Sequence, residues 1–202
     1  MTETRARILD TAMALFYAHG VHAVGVNAIA ARAAASKLSL YKYFQSKEHL
    51  VRAMLTEHSD RIHSWLERNT AQAPPGPGRV LAVFDLLIDW FAQPNYRGCA
   101  VVNTVTDTRA DPAIAAIART HLARYRGLLE DRLREAHVAD PPVVARQLLL
   151  LIEGASVVTS IDGTPTAGND ARAAAARLVG LAGSVTSATA GPDRTADHRA
   201  PA

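Results

Sequence analysis

Cysteine is nearly missing from this 202-residue chain, where Cys99 stands alone. No disulfide can close within one copy, which fits a reducing compartment. Long hydrophobic runs are also lacking. The densest, residues 148–152, falls far short of the ~20 residues that span a bilayer. No signal-peptide pattern opens the chain. A cytoplasmic protein without a membrane partner is expected. Catalytic signatures are missing too: there is no HExxH, no P-loop and no GxSxG. Neither metal nor cofactor is expected, and the chain does not read as an enzyme. His19 and His22 straddle a helix stop without acidic or thiol company. His58 and His63 point to different helix faces. Neither pair reads as a metal site.

Two further absences are local. The first 73 residues hold no proline, and then Pro74, Pro75 and Pro77 fall within four positions. No acidic residue lies between Asp10 and Glu48. The formal charge of the whole chain is only +3, so a case for nucleic acid must rest on where charge sits. Hydrophobic residues make up 49% and charged residues 20%, as in a globular protein with room for one or two domains. Abundant alanine and few alternating β-branched runs favour an all-α fold.

The acid-free interval holds Arg32, Lys37, Lys42 and Lys47. Val26, Ile29, Ala30 and Ala33 recur at helical spacing and give a short helix one apolar face. Residues 33–36 interrupt it, and Ser36 is a suitable N-cap for a second helix over 37–44. There Leu40 and Phe44, four apart, turn inward. Lys37, Ser39, Tyr41 and Lys42 are left outside or at the flank. Ser46 is a second cap, opening a helix whose first turn holds Lys47 and Glu48. A basic helix–turn–helix without acids suits a phosphate backbone, because each neutralised phosphate releases a counterion. The Tyr41 and Tyr43 hydroxyls and the amides behind Ser46 are further phosphate donors. A plain three-helix bundle with solvated lysines accounts for Ile29, Leu40 and Phe44 as core. It does not account for basic charge, acid depletion and caps coinciding in one stretch.

These residues carry a resemblance. Gly20, Ala23, Ile29-Ala30, Ala33, Ser36-Lys37, Leu40-Tyr41, Tyr43-Phe44, Ser46-Lys47-Glu48 and Leu50 resemble the DNA-binding domain of TetR/AcrR-type transcriptional regulators over about the first quarter of the chain. The resemblance implies that Tyr41 and Lys47 grip phosphates. It implies that residues 37–42, opened by Ser36 and including Leu38 and Ser39, meet base edges. Three positions depart from the family pattern. Gly25 replaces a Ser or Thr cap. Ala34 stands where the turn usually has glycine; a left-handed backbone there costs an L-residue ~1–2 kcal/mol, unless the turn is built differently. Leu38 replaces a small residue, and pointing outward it suits a thymine methyl.

Along the rest of the chain, periodicity and punctuation predict about nine helices. The first starts at a Thr2 or Thr4 cap and stops at Gly20. Arg5 and Arg7 on it are equally readable as phosphate contacts or as a solvated arm. The fourth runs over 47–69, before the AQAPPGPG break. A fifth carries Val80, Phe84, Leu87 and Phe91. Residues 99–108 form a short sixth. Asp111-Pro112 and Asp140-Pro141 both read as acidic cap followed by proline at the first helical position. They open helices over 112–136 and to about 160, the latter apolar nearly all round. Residues 161–169 read as a loop, 170–185 as an alanine-rich helix and 187–202 as a disordered tail. The expected domains are 1–46 for DNA binding, 47–186 for ligand binding and dimerisation, and 187–202 for the tail.

By the resemblance, the last two helices pair with those of a second copy. The homodimer then sets two reading heads ~34 Å apart on a near-palindromic double-stranded operator. A small-molecule effector releases a repressor from it. The candidate effector lining is Trp65, Phe84, Trp90, Phe91 and Cys99, with Asn103, His121, Tyr125, Glu153 and Ser156. Plain core packing is the competing account of each aromatic. Glu153 interrupts LLLLI-E-GAS, where a buried carboxylate needs a partner. A pocket, a second subunit and Arg146 all remain open. Cys99 is a small buried thiol or an oxidant sensor. The competing class is a helical small-molecule-binding protein or enzyme without a DNA-binding role.

Overall fold

Apolar residues three and four apart, with few breakers between them, wind most of the chain into helix. The computed structural model describes residues 3–108 and 111–180. Among them are nine helices and no strand: α1 (Glu3–His19), α2 (Val26–Arg32), α3 (Lys37–Tyr43), α4 (Lys47–Thr70), α5 (Pro77–Phe91), α6 (Ala100–Asp107), α7 (Pro112–Glu135), α8 (Pro141–Asp162) and α9 (Thr166–Leu178). The all-α expectation holds. Thr4 lies inside α1 and is not its cap; Thr2 lies outside the described residues, as do the tail over 187–202 and the expected helix end at 185.

The chain forms two compact units. One comprises residues up to Arg61 together with Cys99–His121. Its core includes Ile8, Phe16, Ile29, Leu40, Phe44 and Leu55. The other comprises Ile62–Gly98 and the chain from Leu122 onward, with Leu66, Val83, Leu129, Ala145 and Leu148 in its core. There α8 packs on α9 and α5, and α5 on α9. Helix α4 feeds both cores, giving Leu50 and Met54 to the first and Ile62 and Trp65 to the second.

The turn after α2 settles the question posed by Ala34. Its φ is 45°, in the left-handed region. The Ala35 N–H donates to the Ala30 carbonyl at 2.9 Å and the Ala34 N–H to the Ala31 carbonyl at 3.2 Å. This pair of bonds is the Schellman termination, which normally places glycine where Ala34 stands. Arg7 completes it. Its Nε donates to the Ala33 carbonyl at 2.6 Å and a terminal nitrogen to that of Ala34 at 3.4 Å. The motif recurs after α7, with His137 at φ 55° and the Val138 N–H on the Leu133 carbonyl at 3.1 Å.

The two Asp-Pro dipeptides behave differently. Asp111 caps α7: its Oδ1 accepts the Ala113 and Ile114 N–H groups at 2.8 and 3.3 Å. Asp140 precedes α8 at φ 49° and ψ 55° and makes no side-chain cap bond. That left-handed backbone, reached directly after the His137 turn, departs from the extended conformation a capping residue normally takes. The expected second acidic cap is therefore absent.

The loop expected over 161–169 is also shorter than that. Helix α8 continues to Asp162 and α9 begins at Thr166. The Gly168 N–H bonds the Pro165 carbonyl at 3.0 Å. A Cβ at Gly168 would lie 2.9 Å from Ile88 and 3.2 Å from Phe91. That glycine is a point of close approach between α9 and α5, not a turn residue. By length and composition α8, at 22 residues, is apolar enough to cross a bilayer. One side of it is core, through Val144, Leu148 and Ile152. On the other, Leu150 is 74% and Ile161 77% exposed.

Candidate nucleic-acid interface

Burial of Leu40 and Phe44 fixes how α3 is rotated. Lys37, Leu38, Tyr41 and Lys42 are consequently exposed, Leu38 at 82%. Ser36 caps the helix as its sequence suggests, with Oγ accepting the Ser39 N–H at 3.0 Å. The two serine hydroxyls are 2.9 Å apart. The Lys37 ammonium lies 6.0 Å from the Tyr41 ring centroid, one helical turn away, in cation–π range. Tyr43 is half-buried and packs against the first unit's core, so it is less available than Tyr41.

At the start of α4, Ser46 Oγ accepts the His49 N–H at 3.1 Å. Glu48 follows, and its own backbone N–H, then the Ser46 hydroxyl, hold its carboxyl below the usual range. The half-buried Lys47 sets its ammonium 5.9 Å from the Phe16 ring centroid. Residues 36–42 and Lys47 thus fall within one unit, on two capped helix starts. Helix α2 opens on Gly25 without a side-chain cap, as its sequence implies. Arg5 and Arg7 are engaged internally. Arg5 pairs with Glu57 at 3.3 Å and sits 5.4 Å from the Phe44 ring centroid, while Arg7 holds the Ala33–Ala34 turn.

Asp107 escaped sequence reasoning. Its Oδ2 accepts the Val21 N–H at 2.8 Å and its carbonyl lies 2.9 Å from His22 Nε2. The C-terminal end of α6 is thereby fastened to the turn between α1 and α2. Only the acid's position at the end of a short helix hinted at it.

The candidate effector residues fall into two groups. Trp65, Phe84, Trp90, Phe91 and Tyr125 are buried in the core of the second unit. Trp65 and Trp90 meet edge to face at 6.4 Å. Tyr96, which the sequence places only in a turn, joins them: its ring lies 5.9 Å from Trp90 and 4.8 Å from Phe91. Its hydroxyl is 2.7 Å from the buried Ser156 hydroxyl. Glu153 belongs to the same unit, half-buried, and burial raises its carboxyl. Cys99, Asn103 and His121 belong to the first unit. There His121 is fully buried, with Nδ1 2.8 Å from the Ser59 hydroxyl and Nε2 3.6 Å from the Cys99 sulfur. Asn103 is exposed and lines a cavity of about 180 Å³ with Met13, Phe16 and Met54.

Residues 8–54 match the family described as bacterial regulatory proteins, tetR family. The transcriptional activator FasR of Mycolicibacterium smegmatis is 31% identical over 114 residues, 56% of this chain and 51% of FasR. The transcriptional repressor KstR of Rhodococcus jostii is 40% identical over 74 residues, 37% of this chain and 32% of KstR. The match thus spans about half or less of these curated relatives. Among solved structures, SCO4454, a TetR-family transcriptional regulator from Streptomyces coelicolor, superposes with a TM-score of 0.81 at 27% identity, covering 88% of this chain and 94% of that one. The reduced form of Escherichia coli NemR shares the fold, with a TM-score of 0.81 at 24% identity.

Proposed function

From the premise that this chain belongs to the TetR family of bacterial regulatory proteins, we propose that it is a cytoplasmic, DNA-binding transcriptional regulator and not an enzyme. It acts as a homodimeric repressor that a small apolar or amphipathic effector releases from a near-palindromic operator. The observation that carries the DNA reading is the outer row of α3. Lys37, Leu38, Tyr41 and Lys42 are exposed together, on a helix whose rotation is locked by Leu40 and Phe44 and whose start is locked by Ser36. Lys47 extends the row toward the backbone of the duplex.

Pairing of two copies draws support from α8 and α9. Leu150, Val157, Val158, Ile161 and Leu178 are all exposed, and exposed large apolar residues on two helices that pack together favour an association surface there. The aromatic cluster around Trp65, Trp90, Phe91 and Tyr96 supports an effector with an apolar body. A differential affinity of ~1–3 kcal/mol between two poses of α4 would change operator affinity 5–150-fold. Repression is the sense carried by KstR, which is 40% identical to this chain over 74 residues.

Selection of bound duplexes from a random DNA pool tests the proposal. The wild type is expected to enrich a near-palindrome, and a Tyr41→Phe/Lys47→Ala variant to enrich it weakly. Of the two phosphate contacts this variant removes from each head, only that of Lys47 carries charge, so the salt dependence of binding should also fall by ~0.9 per head. Absence of enrichment by the wild type at low salt would overturn the DNA-binding reading.

A further inference from the structure

A second cavity, of about 600 Å³, lies wholly within the first unit. That volume falls in the range of sites for drug-sized ligands, ~300–1,000 Å³. None of the ten candidate effector residues lines it. Its walls are apolar, from Val21, Val51, Pro112 and Ile114. Among the described residues its charged groups are Glu48, Asp107 and Asp111 against the ammonium of Lys47, with His22 and Thr108 as further polar lining.

The carboxylates are held in place before any ligand arrives. Asp107 is fixed by the Val21 N–H at 2.8 Å. Asp111 is fixed by the two amides it caps and is answered by Arg52 at 3.6 Å. Glu48 is tied to the first turn of α4, whose backbone N–H and Ser46 hydroxyl favour its ionised form. Arg52 answers Asp111 at 3.6 Å, and Lys47 and Arg52 both act on Glu48, so among the described residues two cations face three carboxylates and one negative charge is left for an incoming ligand. Apolar lining together with carboxylates that outnumber the described cations by one suits a molecule with a hydrophobic body and one positive charge. A neutral molecule gains nothing from the rim, and an anion is repelled by it.

We propose that this cavity is a ligand site for an amphipathic organic cation, distinct from the aromatic cluster of the second unit. Its consequence for DNA rests on the reading above. Lys47 and Glu48 line the cavity, so an occupant contacts the helix start that is to grip phosphate, and binding of cation and DNA should be mutually antagonistic.

Calorimetric titration of the full chain without DNA tests the site, using naphthylethylammonium, naphthylethanol and naphthylacetate as probes of one shape and three charges. The ammonium is expected to bind once per chain, the alcohol more weakly and the carboxylate most weakly. Glu48→Gln/Asp107→Asn should lower ammonium affinity roughly tenfold, as two partly solvated charge contacts contribute, and leave the alcohol unchanged. Asparagine at 107 retains an acceptor for the Val21 N–H, so the fastening of α6 survives. Glu48→Gln alone, on an exposed residue, should lower affinity about threefold and serves should the double variant not fold. No binding of the ammonium, equal binding of the carboxylate, or ammonium affinity indifferent to these substitutions would overturn the proposal. The titration contains no DNA, so failure of the operator selection leaves its outcome readable.

Discussion

Ala34→Gly is expected to stabilise the protein, although glycine ordinarily weakens a helical segment. Ala34 holds φ at 45°, a conformation that costs an L-residue about 1–2 kcal/mol. Glycine removes that strain. It also frees the unfolded chain, which offsets about 0.4–1 kcal/mol. The balance is a net gain of about 0.5–1 kcal/mol. Little else changes. The methyl group is exposed, and the bonds that build the turn run between backbone groups or from Arg7 to backbone carbonyls. Urea unfolding at one fixed protein concentration reads the effect, because the midpoint of the proposed dimer would move with concentration. Ala31→Gly is the internal control. Ala31 is exposed and lies within α2, where glycine should destabilise by about 0.5–1 kcal/mol. The two substitutions, three residues apart, should therefore shift the midpoint in opposite directions. A lower midpoint for Ala34→Gly would refute the strained-turn account and place Ala34 in ordinary helical backbone.

Other expectations follow from the same geometry. Asp111→Ala should destabilise by about 1–2 kcal/mol through loss of a cap, whereas Asp140→Gly, which removes no cap bond from a left-handed position, should leave the urea midpoint unchanged or raised. Gly168→Ala forces a methyl group to 2.9 Å from Ile88 and should cost about 1–3 kcal/mol as an overpacked contact, seen as a lower thermal midpoint. Burial raises the Glu153 carboxyl above its unfolded value of 4.5. Its contribution to stability is then fully present below that value and is lost as pH rises through the folded pKa. Glu153→Gln should accordingly be more stable than the wild type at pH 7, with the difference closing near pH 4; a constant difference across that range would count against burial as the cause.

The reading head was legible because its information is local. Ser36 and Ser46 cap helices that begin one residue later, and the four-residue spacing of Leu40 and Phe44 marks which side of α3 turns to the core that α1 and α4 complete. The same spacing left Lys37, Tyr41 and Lys42 on the outside of α3, where the structure also has them exposed. It faltered wherever a second helix decides the outcome. Two identical Asp-Pro dipeptides gave one cap and one left-handed linker, because the turn at His137 enters the second from a different direction. Gly163, Pro165, Gly168 and Asn169 together read as loop, yet Gly168 answers to Ile88 and Phe91 on another helix. Tyr96 and Asp107 find partners 60 and 86 residues away, beyond any periodic signal. The effector residues show the limit most plainly. Helical spacing identifies which side of a helix avoids water, and all five aromatics named as lining are indeed buried. Spacing carries no coordinate for the neighbouring helix, so it could not separate the residues of the second unit's core from Cys99, Asn103 and His121 in the first. Nor could it register the 600 Å³ cavity, whose walls come from three separate stretches of chain that share no pattern.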